Sequence, residues 1–379
     1  MRAFLAANWP VKGTGRQALA DAVRRFRRLA TEQGYLYRGV PRRYGGSEQA
    51  PDPLRAEIVR QEFAGVRAPM EMLGAGPGML VPTLLEWGAE WQKERFIRKT
   101  LDGELVWAQG YSEPGAGSDL ASLRTRAALV DGEWIINGQK IWSSYAYRAQ
   151  YMFALVRTEP EAPKHRGISY LLIDLHQPGI EIRRIRQMTG KSKFCEVFFN
   201  DARTPADWIV GERGRGWEVT RTTLTHERSS TRGIQVLENR LRAAIRLAQK
   251  TARNGRPAIE DPDIRRRLVA IQGSLMSLTY STYRQMSMDA AGQDPGHFRL
   301  LMKLYGSNLA QDLARLSADI LGADFLELDT DDSDAQRGDV EKTTHFFMSS
   351  LVLSIAGGSS NIQRNIIAER ALGLPKSTS

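Results

Sequence analysis

Four short stretches hold residue types that could act together on a bound molecule. In LTHERSS (224–230), Glu227 is a carboxylate able to take a proton, and Arg228 beside it is a fixed cation. Adjacent helix positions point to different flanks of one face, and by residue type alone the two also read as a surface ion pair. In QGYSEPGAGSD (109–119), Pro114, Gly115 and Gly117 force a loop. Ser112 and Ser118 offer hydroxyls there, and the glycines let backbone N–H groups face a ligand. The stretch is not a GxGxxG after a strand, so it is no Rossmann fingerprint, and a plain turn also accounts for it. In NGQKIWSSYA (137–146), Trp142 precedes Ser143 and Ser144. An aromatic wall with a hydroxyl beside it suits a flat cofactor, whereas a core or cross-strand tryptophan is the plainer reading. In IAGGSSNIQRN (355–365), Gly357 and Gly358 admit close approach to the backbone, and the serines read as the cap of the next helix.

The elements around these stretches change character twice. Residues 1–105 read as helices. ALADAVRRFRRLATEQGY repeats apolar positions three and four apart. DPLRAEIVRQEFAGV and VPTLLEWGAEWQKERFIRKTLDGE are also helical, after a Gly- and Pro-rich loop at 41–53. Residues 106–212 read as an antiparallel β domain, a small barrel or sandwich. Asp131–Gly132 and Asn137–Gly138 both predict turns, and Asn137–Gly138, between WII and KIW, predicts a hairpin. YMFALVRT, GISYLLIDL, IEIRRIR and FCEVFFN follow as strands. From 213 to 379 the pattern is helical again, with a long run from Glu218 to Asn254 and a polar insertion at 329–342. The class is α+β, in the order α, β, α.

Bulk properties narrow the function classes. The chain has 379 residues, 42% hydrophobic and 25% charged, an ordinary globular composition. No apolar run approaches the roughly 20 residues of a membrane span, and the apolar part of MRAFLAANWP is too short for a signal peptide. The lone Cys195 sits on an alternating strand and reads as buried. It excludes an internal disulfide framework and fits a reducing compartment, so a cytoplasmic location is expected. Without cysteine pairs or HExxH, no zinc site is expected. The net charge of +10 comes without a zinc finger, RRM or aromatic-interleaved basic stripe. That argues against nucleic acid and leaves a modest role for phosphate-bearing ligands.

Taken together, SEPGAGSD, NGQKIWSS and GGSSNIQRNIIAERALG resemble the acyl-CoA dehydrogenase family, in the same α–β–α order over essentially the whole chain. The resemblance implies an N-terminal helical domain, a central β domain and a C-terminal four-helix bundle. It also implies noncovalent FAD and removal of a proton and a hydride from adjacent carbons of an acyl-CoA, giving the trans-2-enoyl-CoA. Ser112 stands where a hydroxyl bonds the pyrimidine side of the flavin, with Gln109, Tyr111 and Gly117 in the loop that supplies backbone contacts. Ser118 stands near flavin or thioester. Trp142 packs on the isoalloxazine, beside Ser143, and Ser144 bonds near N5. Ser359 and Asn361 match FAD-contacting positions. Arg228, Gly357 and Gly358 fall at the acyl and thioester end. The family commonly sets its catalytic glutamate at the position of Gly357. A minority arrangement sets it on the long helix, immediately before the arginine, which here is Glu227. A glycine at one site and a glutamate at the other complement each other, so Glu227 is the expected base.

Two departures concern assembly. Where homotetrameric members often carry Arg-x-x-Phe-Gly to reach a neighbour's FAD, this chain reads TARNG, with Thr251 and Asn254 at the key places. Where Gly-Gly-x-Gly is usual, it reads Leu321-Gly322-Ala323-Asp324. Drift with compensation by Arg253 or Arg256 is one reading. A dimer of dimers completed by a related subunit is the other. The resemblance implies electron-transfer flavoprotein as acceptor, and MRAFLAANWP resembles the end of the family's first helix. A same-fold oxidase or monooxygenase, or a noncatalytic subunit, are the alternatives.

Overall fold

The computed structural model describes residues 1–10, 15–72, 74–228, 232–293, 298–326 and 338–375. They form two compact units: 1–185 with 192–227, and 186–191 with 228–379.

The first unit opens with helices α1 (Arg2–Asn8), α2 (Arg16–Glu32) and α3 (Pro53–Gly65). Asp52 caps α3, its carboxylate accepting from Arg55 N at 2.8 Å, and Pro53 takes the first position, where no N–H is needed. The apolar run beginning VPTLLEW is two helices, α4 (Val81–Trp87) and α5 (Glu90–Leu101). The break falls at Gly88, whose backbone turns extended (ψ 147°), and a Cβ there would lie 2.7 Å from the Leu84 carbonyl oxygen.

Seven strands follow: β1 (Trp107–Gly110), β2 (Arg126–Val130), β3 (Glu133–Ser144), β4 (Tyr151–Arg157), β5 (Ile168–Asp174), β6 (Ile180–Ile185) and β7 (Phe194–Pro205). The order is β1-β4-β2-β3-β7-β6, with β5 on β4. The sheet is mixed rather than wholly antiparallel, since β1 pairs with β4 in parallel, Trp107 opposite Tyr151. The long connection from β1 to β4, through β2 and β3, gives the chain room to return in the same direction. Side-chain alternation cannot distinguish that pairing from an antiparallel one.

The alternation of β4 and β5 explains why helices and sheet form one unit. Phe153, Leu155, Ile168, Tyr170 and Leu172 enter a core with Phe26, Phe63, Leu84 and Phe96 of the helices. Met152, Ala154, Val156, Leu171 and Ile173 face the other way, into a core with Trp134, Ile136, Cys195 and Val197. Both faces of these strands are thus covered, as their continuous apolar runs require.

The Asn137–Gly138 hairpin is overturned. β3 runs unbroken through both residues, and the hairpin turn lies at Asp131 (φ 49°) and Gly132 (φ 82°). Gly138 (φ 145°) sits in a register shift between β3 and β7. A Cβ on it would come within 2.7 Å of Thr125 Cα. Asn137 donates to Asp201 Oδ1 at 2.8 Å and accepts from Asp201 N at 3.0 Å. The pair therefore forms a β-bulge clamped across two strands, which uses the same backbone freedom a turn would.

The last helix of the first unit is α6 (Gly216–Arg228), whose final residue falls in the second unit, and α7 (Arg232–Lys250) is the next helix. Residues 229–231, inside the long helical run predicted from sequence, lie outside the described residues. A hairpin of β8 (Ala252–Arg253) and β9 (Arg256–Pro257) turns through Asn254 (φ 53°) and Gly255 (φ 78°). Then come α8 (Pro262–Ala290), α9 (Phe298–Leu321), α10 (Asp339–Leu351) and α11 (Ser360–Ile366). Leu237, Leu241 and Ala244 of α7, Leu268, Ile271 and Leu275 of α8, and Leu309, Leu313 and Leu316 of α9 share one core. Their spacings of three and four residues are those of a bundle stripe. Residues 327–337, which include most of the polar insertion at 329–342, lie outside the described residues.

Candidate active site

In the first unit, the 109–119 loop and the end of β3 are bound into one piece. Gln109 lies on β1 opposite Phe153. The Ser112 carbonyl accepts from Ile141 N at 2.9 Å, and Glu113 and Ala116 exchange backbone bonds at 3.0 Å, which tightens the Pro114–Gly115 turn. Gly115 and Gly117 face open space, and Ser118 is exposed. Backbone N–H groups here are accessible to a ligand without a side chain in the way.

Tyr111 is different. Its side chain is buried, edge-on to Phe153 and Tyr170 at 5.9 and 6.3 Å. Only its backbone is left for a ligand. The buried Tyr170 hydroxyl interacts with Thr223 and Tyr111, and burial, with Tyr111 adding to it, pushes its pKa well above the usual range.

β3 ends in a second bulge, a register shift between Lys140 and Ser143. Trp142 occupies it at φ 62°, a left-handed conformation that is uncommon for a bulky side chain. Its indole is 55% exposed and touches the Phe194 ring edge-on at 5.9 Å. The tryptophan is therefore not a core residue, and its contact with Phe194 of β7 is cross-strand. Ser143 is buried, and its Oγ has no hydrogen-bond partner among the described residues. Ser144 is exposed at the strand end.

The residues that tie these parts together escaped the sequence reading. Lys140 is 0% exposed and Glu113 8%, and Lys140 Nζ lies 2.7 Å from Glu113 Oε1. Glu113 also accepts from Arg124 N at 2.6 Å and Thr125 N at 2.9 Å, and Lys140 donates to the Tyr111 carbonyl at 3.2 Å. Burial alone would raise the Glu113 carboxyl. The Lys140 ammonium and the N–H donors outweigh it and hold the carboxyl below its usual range. Burial lowers Lys140, against the pull of Glu113. A signal was present: Lys140 shares the inward phase of β3 with Trp134 and Ile136, where a charge demands a partner.

Glu227 and Arg228 lie on the last turn of α6, and their side chains are outside the described residues. The helix itself is anchored one turn earlier. Thr223 Oγ1 lies 2.8 Å from Thr83 Oγ1, and Thr222 bonds both Trp87 Nε1 and Glu86, each at 2.9 Å. Position 227 follows Thr223 by four residues and so shares its face of the helix.

In the second unit, Gly357 (φ 65°) and Gly358 (φ 89°) turn the chain into α11. Ser359 caps that helix, its Oγ accepting from Ile362 N at 3.3 Å, as the sequence predicts. Gln363 is buried with its amide packed where a Gly358 Cβ would stand, 2.6 Å away. Asn361 is exposed and bonds Arg364 at 3.1 Å.

The chain matches three family models along its length: "Acyl-CoA dehydrogenase, N-terminal domain" over residues 2–104, the middle domain over 108–202 and the C-terminal domain over 214–372. The protein belongs to the acyl-CoA dehydrogenase family. It is 40% identical to "Acyl-CoA dehydrogenase IpdE1" of Mycobacterium tuberculosis over 369 residues, 96% of this chain and 91% of that one. Its fold matches the crystal structure of the ChsE4-ChsE5 complex from Mycobacterium tuberculosis with TM-score 0.78 and 29% identity, over 99% of this chain and 96% of that one. It also matches the Tcur3481-Tcur3483 steroid ACAD with TM-score 0.75 and 28% identity, over the same shares. The chain is an acyl-CoA dehydrogenase, an oxidoreductase of a family of flavoproteins. Its exposed Trp142, orphaned Ser143 hydroxyl, exposed Ser144 and open glycine loop fit a flat, hydrogen-bonding cofactor in such an enzyme. Among the described residues no helix is long and apolar enough to cross a membrane.

Proposed function

We propose that this acyl-CoA dehydrogenase carries out α,β-dehydrogenation of an acyl-CoA with Glu227 as the base. The observation that carries the reading is the pairing of Gly357, where the family commonly has its glutamate, with Glu227 on α6. The α-proton of a thioester is very weakly acidic, so a carboxylate must be positioned to take it. FAD, when bound, supplies the acceptor for the hydride that leaves the β-carbon. Trp142 offers the apolar wall for its ring system. Ser112, Ser144 and the N–H groups of the Gln109–Ser118 loop offer bonds to its polar edges, with Ser143 beneath. Ser359 and Asn361 match family positions that contact the cofactor, and Arg228, Ser118, Gly357 and Gly358 match positions at the thioester and acyl ends. The Gly357 N–H is a donor for charge that builds on the thioester oxygen. Loss of the proton from the α-carbon to Glu227 and of the hydride from the β-carbon leaves the trans-2-enoyl thioester.

A bulky acyl group is the favoured substrate. A glutamate on this helix often accompanies branched, long or bulky acyl groups in the family, and a similar solved protein is a steroid ACAD. We further propose that a related subunit completes the FAD site, because Thr251 and Asn254 stand where adenine-side contacts are expected. Arg253, which could compensate, is drawn to Asp261 at 3.6 Å. Electron-transfer flavoprotein is the proposed acceptor and the cytoplasm the proposed location. The test is the visible absorption spectrum before and after anaerobic addition of mixed acyl-CoAs. Bleaching of a flavin band supports dehydrogenation. A protein that takes up flavin but bleaches with none of them sinks it.

A further inference from the structure

A lysine and a glutamate buried together carry a large desolvation cost. Here the cost falls at one place, the root of the bulge that turns Trp142 outward. Lys140 is the last residue in register before that bulge, and its ammonium spans to the neighbouring loop. Each atom of the pair holds a different strand of that loop. Lys140 Nζ holds the Tyr111 carbonyl, one residue before Ser112, and Glu113 gathers the N–H groups of Arg124 and Thr125, where the chain leaves the loop for β2. Ile141 N, next to Lys140, bonds the Ser112 carbonyl. Two apolar residues would fill the space, but they could not grip three backbone groups at once.

We propose that Glu113 and Lys140 are positioning residues. They form a clasp that sets the Gln109–Asp119 loop against the bulged end of β3 before any cofactor arrives, so that Ser112, Trp142 and Ser144 are presented in one geometry. This rests on the reading of these residues as the FAD cradle. It adds that the cradle is held by a charge pair, not by the cofactor itself.

The experiment compares the parent chain with E113Q/K140M, which removes both charges and strands neither. Amide hydrogen exchange is measured without cofactor, and FAD affinity by quenching of flavin fluorescence. Where the chain needs its related subunit for FAD, the complex is used. The clasp predicts that exchange at Arg124, Thr125 and Ile141 in the variant accelerates about tenfold or more, while amides of β4 and β5 keep parent rates. FAD binding weakens about tenfold or more. The pair itself supplies a second arm that needs no variant. Burial, with Arg157 of β4 adding to it against the pull of Glu113, depresses Lys140, and Arg157 itself stays charged throughout. Between about pH 7 and about pH 10, loss of the Lys140 proton lowers parent FAD affinity, and the double variant shows no such slope. Parent-like exchange at the three amides, or a parent FAD affinity flat across that range, overturns the clasp. Failure of the parent to take up FAD under any of these conditions overturns the cofactor reading instead. The exchange data then still show whether the pair orders the loop.

Discussion

At the residue scale, Glu227 and the buried pair make opposite demands on charge. In the proposed mechanism Glu227 accepts a proton, so Glu227→Gln is expected to keep FAD and ligand binding while flavin reduction by substrate slows by about 10²–10⁴-fold. Stopped-flow reduction beside a ligand titration checks it, and near-parent reduction removes Glu227 as the base. Glu113 and Lys140 act by staying charged together. Removing one partner leaves the other uncompensated, so Lys140→Met alone is expected to cost about 3–5 kcal/mol in chemical denaturation, more than E113Q/K140M does. The pH dependence has a defined sign. Glu113 sits below its usual range in the folded chain, so its contribution is complete above the ordinary glutamate value and fades as pH falls through the folded one. Lys140 is depressed, so between its folded and ordinary values the unfolded chain holds more protons, and on its account stability rises with pH there. Alkali is therefore expected to loosen the cofactor cradle without lowering the melting temperature through Lys140. A melt that falls in step with FAD affinity across that window contradicts this.

At the scale of elements, the sequence speaks clearly where one local rule decides. The three-and-four spacing of α2, the Asp52–Pro53 start of α3 and the Ser359 cap of α11 are each settled within a few residues. Asn137–Gly138 was misread because positive φ serves a turn and a bulge equally, and the choice is made by Asp201 across the sheet and by Thr125 packed on the glycine. The parallel pairing of β1 with β4 and the bond between Glu113 and Lys140 were hidden for the same reason. They join segments far apart in sequence, and no local pattern encodes them. The proposed site's serines, glycines and tryptophan stand out in the sequence through the family resemblance, whereas nothing local marks Glu113 and Lys140 as a pair. Gly138→Ala tests the bulge. It forces a side chain into a left-handed backbone and against Thr125 Cα, and is expected to cost about 1–3 kcal/mol in denaturant. Loss of protection at Asn137 and Asp201 by hydrogen exchange is expected with it, and a neutral substitution would show that the bulge relaxes freely.

At the scale of the molecule, the bundle unit carries apolar side chains on both sides of α8. Ile264, Leu268, Ile271, Leu275 and Leu278 face its core, while Val269 at 68%, Met276 at 48% and Tyr280 at 63% remain exposed. Those positions are seven and four residues apart, one stripe along the helix. A stripe of this kind on a chain whose adenine-side motifs are altered argues that assembly and cofactor retention are a single event. On the proposed division of labour, a partner covering α8 would bring the residues that replace the arginine and phenylalanine absent at Thr251 and Asn254. The chain purified alone is therefore expected to retain little flavin. Co-expressed with a related subunit that keeps Arg-x-x-Phe-Gly but lacks the helix glutamate, it is expected to elute as a yellow complex that mixed acyl-CoAs bleach. Tyr280→Glu should abolish both the complex, by light scattering, and the colour, while circular dichroism of the chain stays unchanged. A lone chain that elutes as a yellow, active homo-oligomer would refute the division of labour. It would move the adenine contacts onto residues of its own, with Arg256, which has no ion-pair partner among the described residues, the first to substitute.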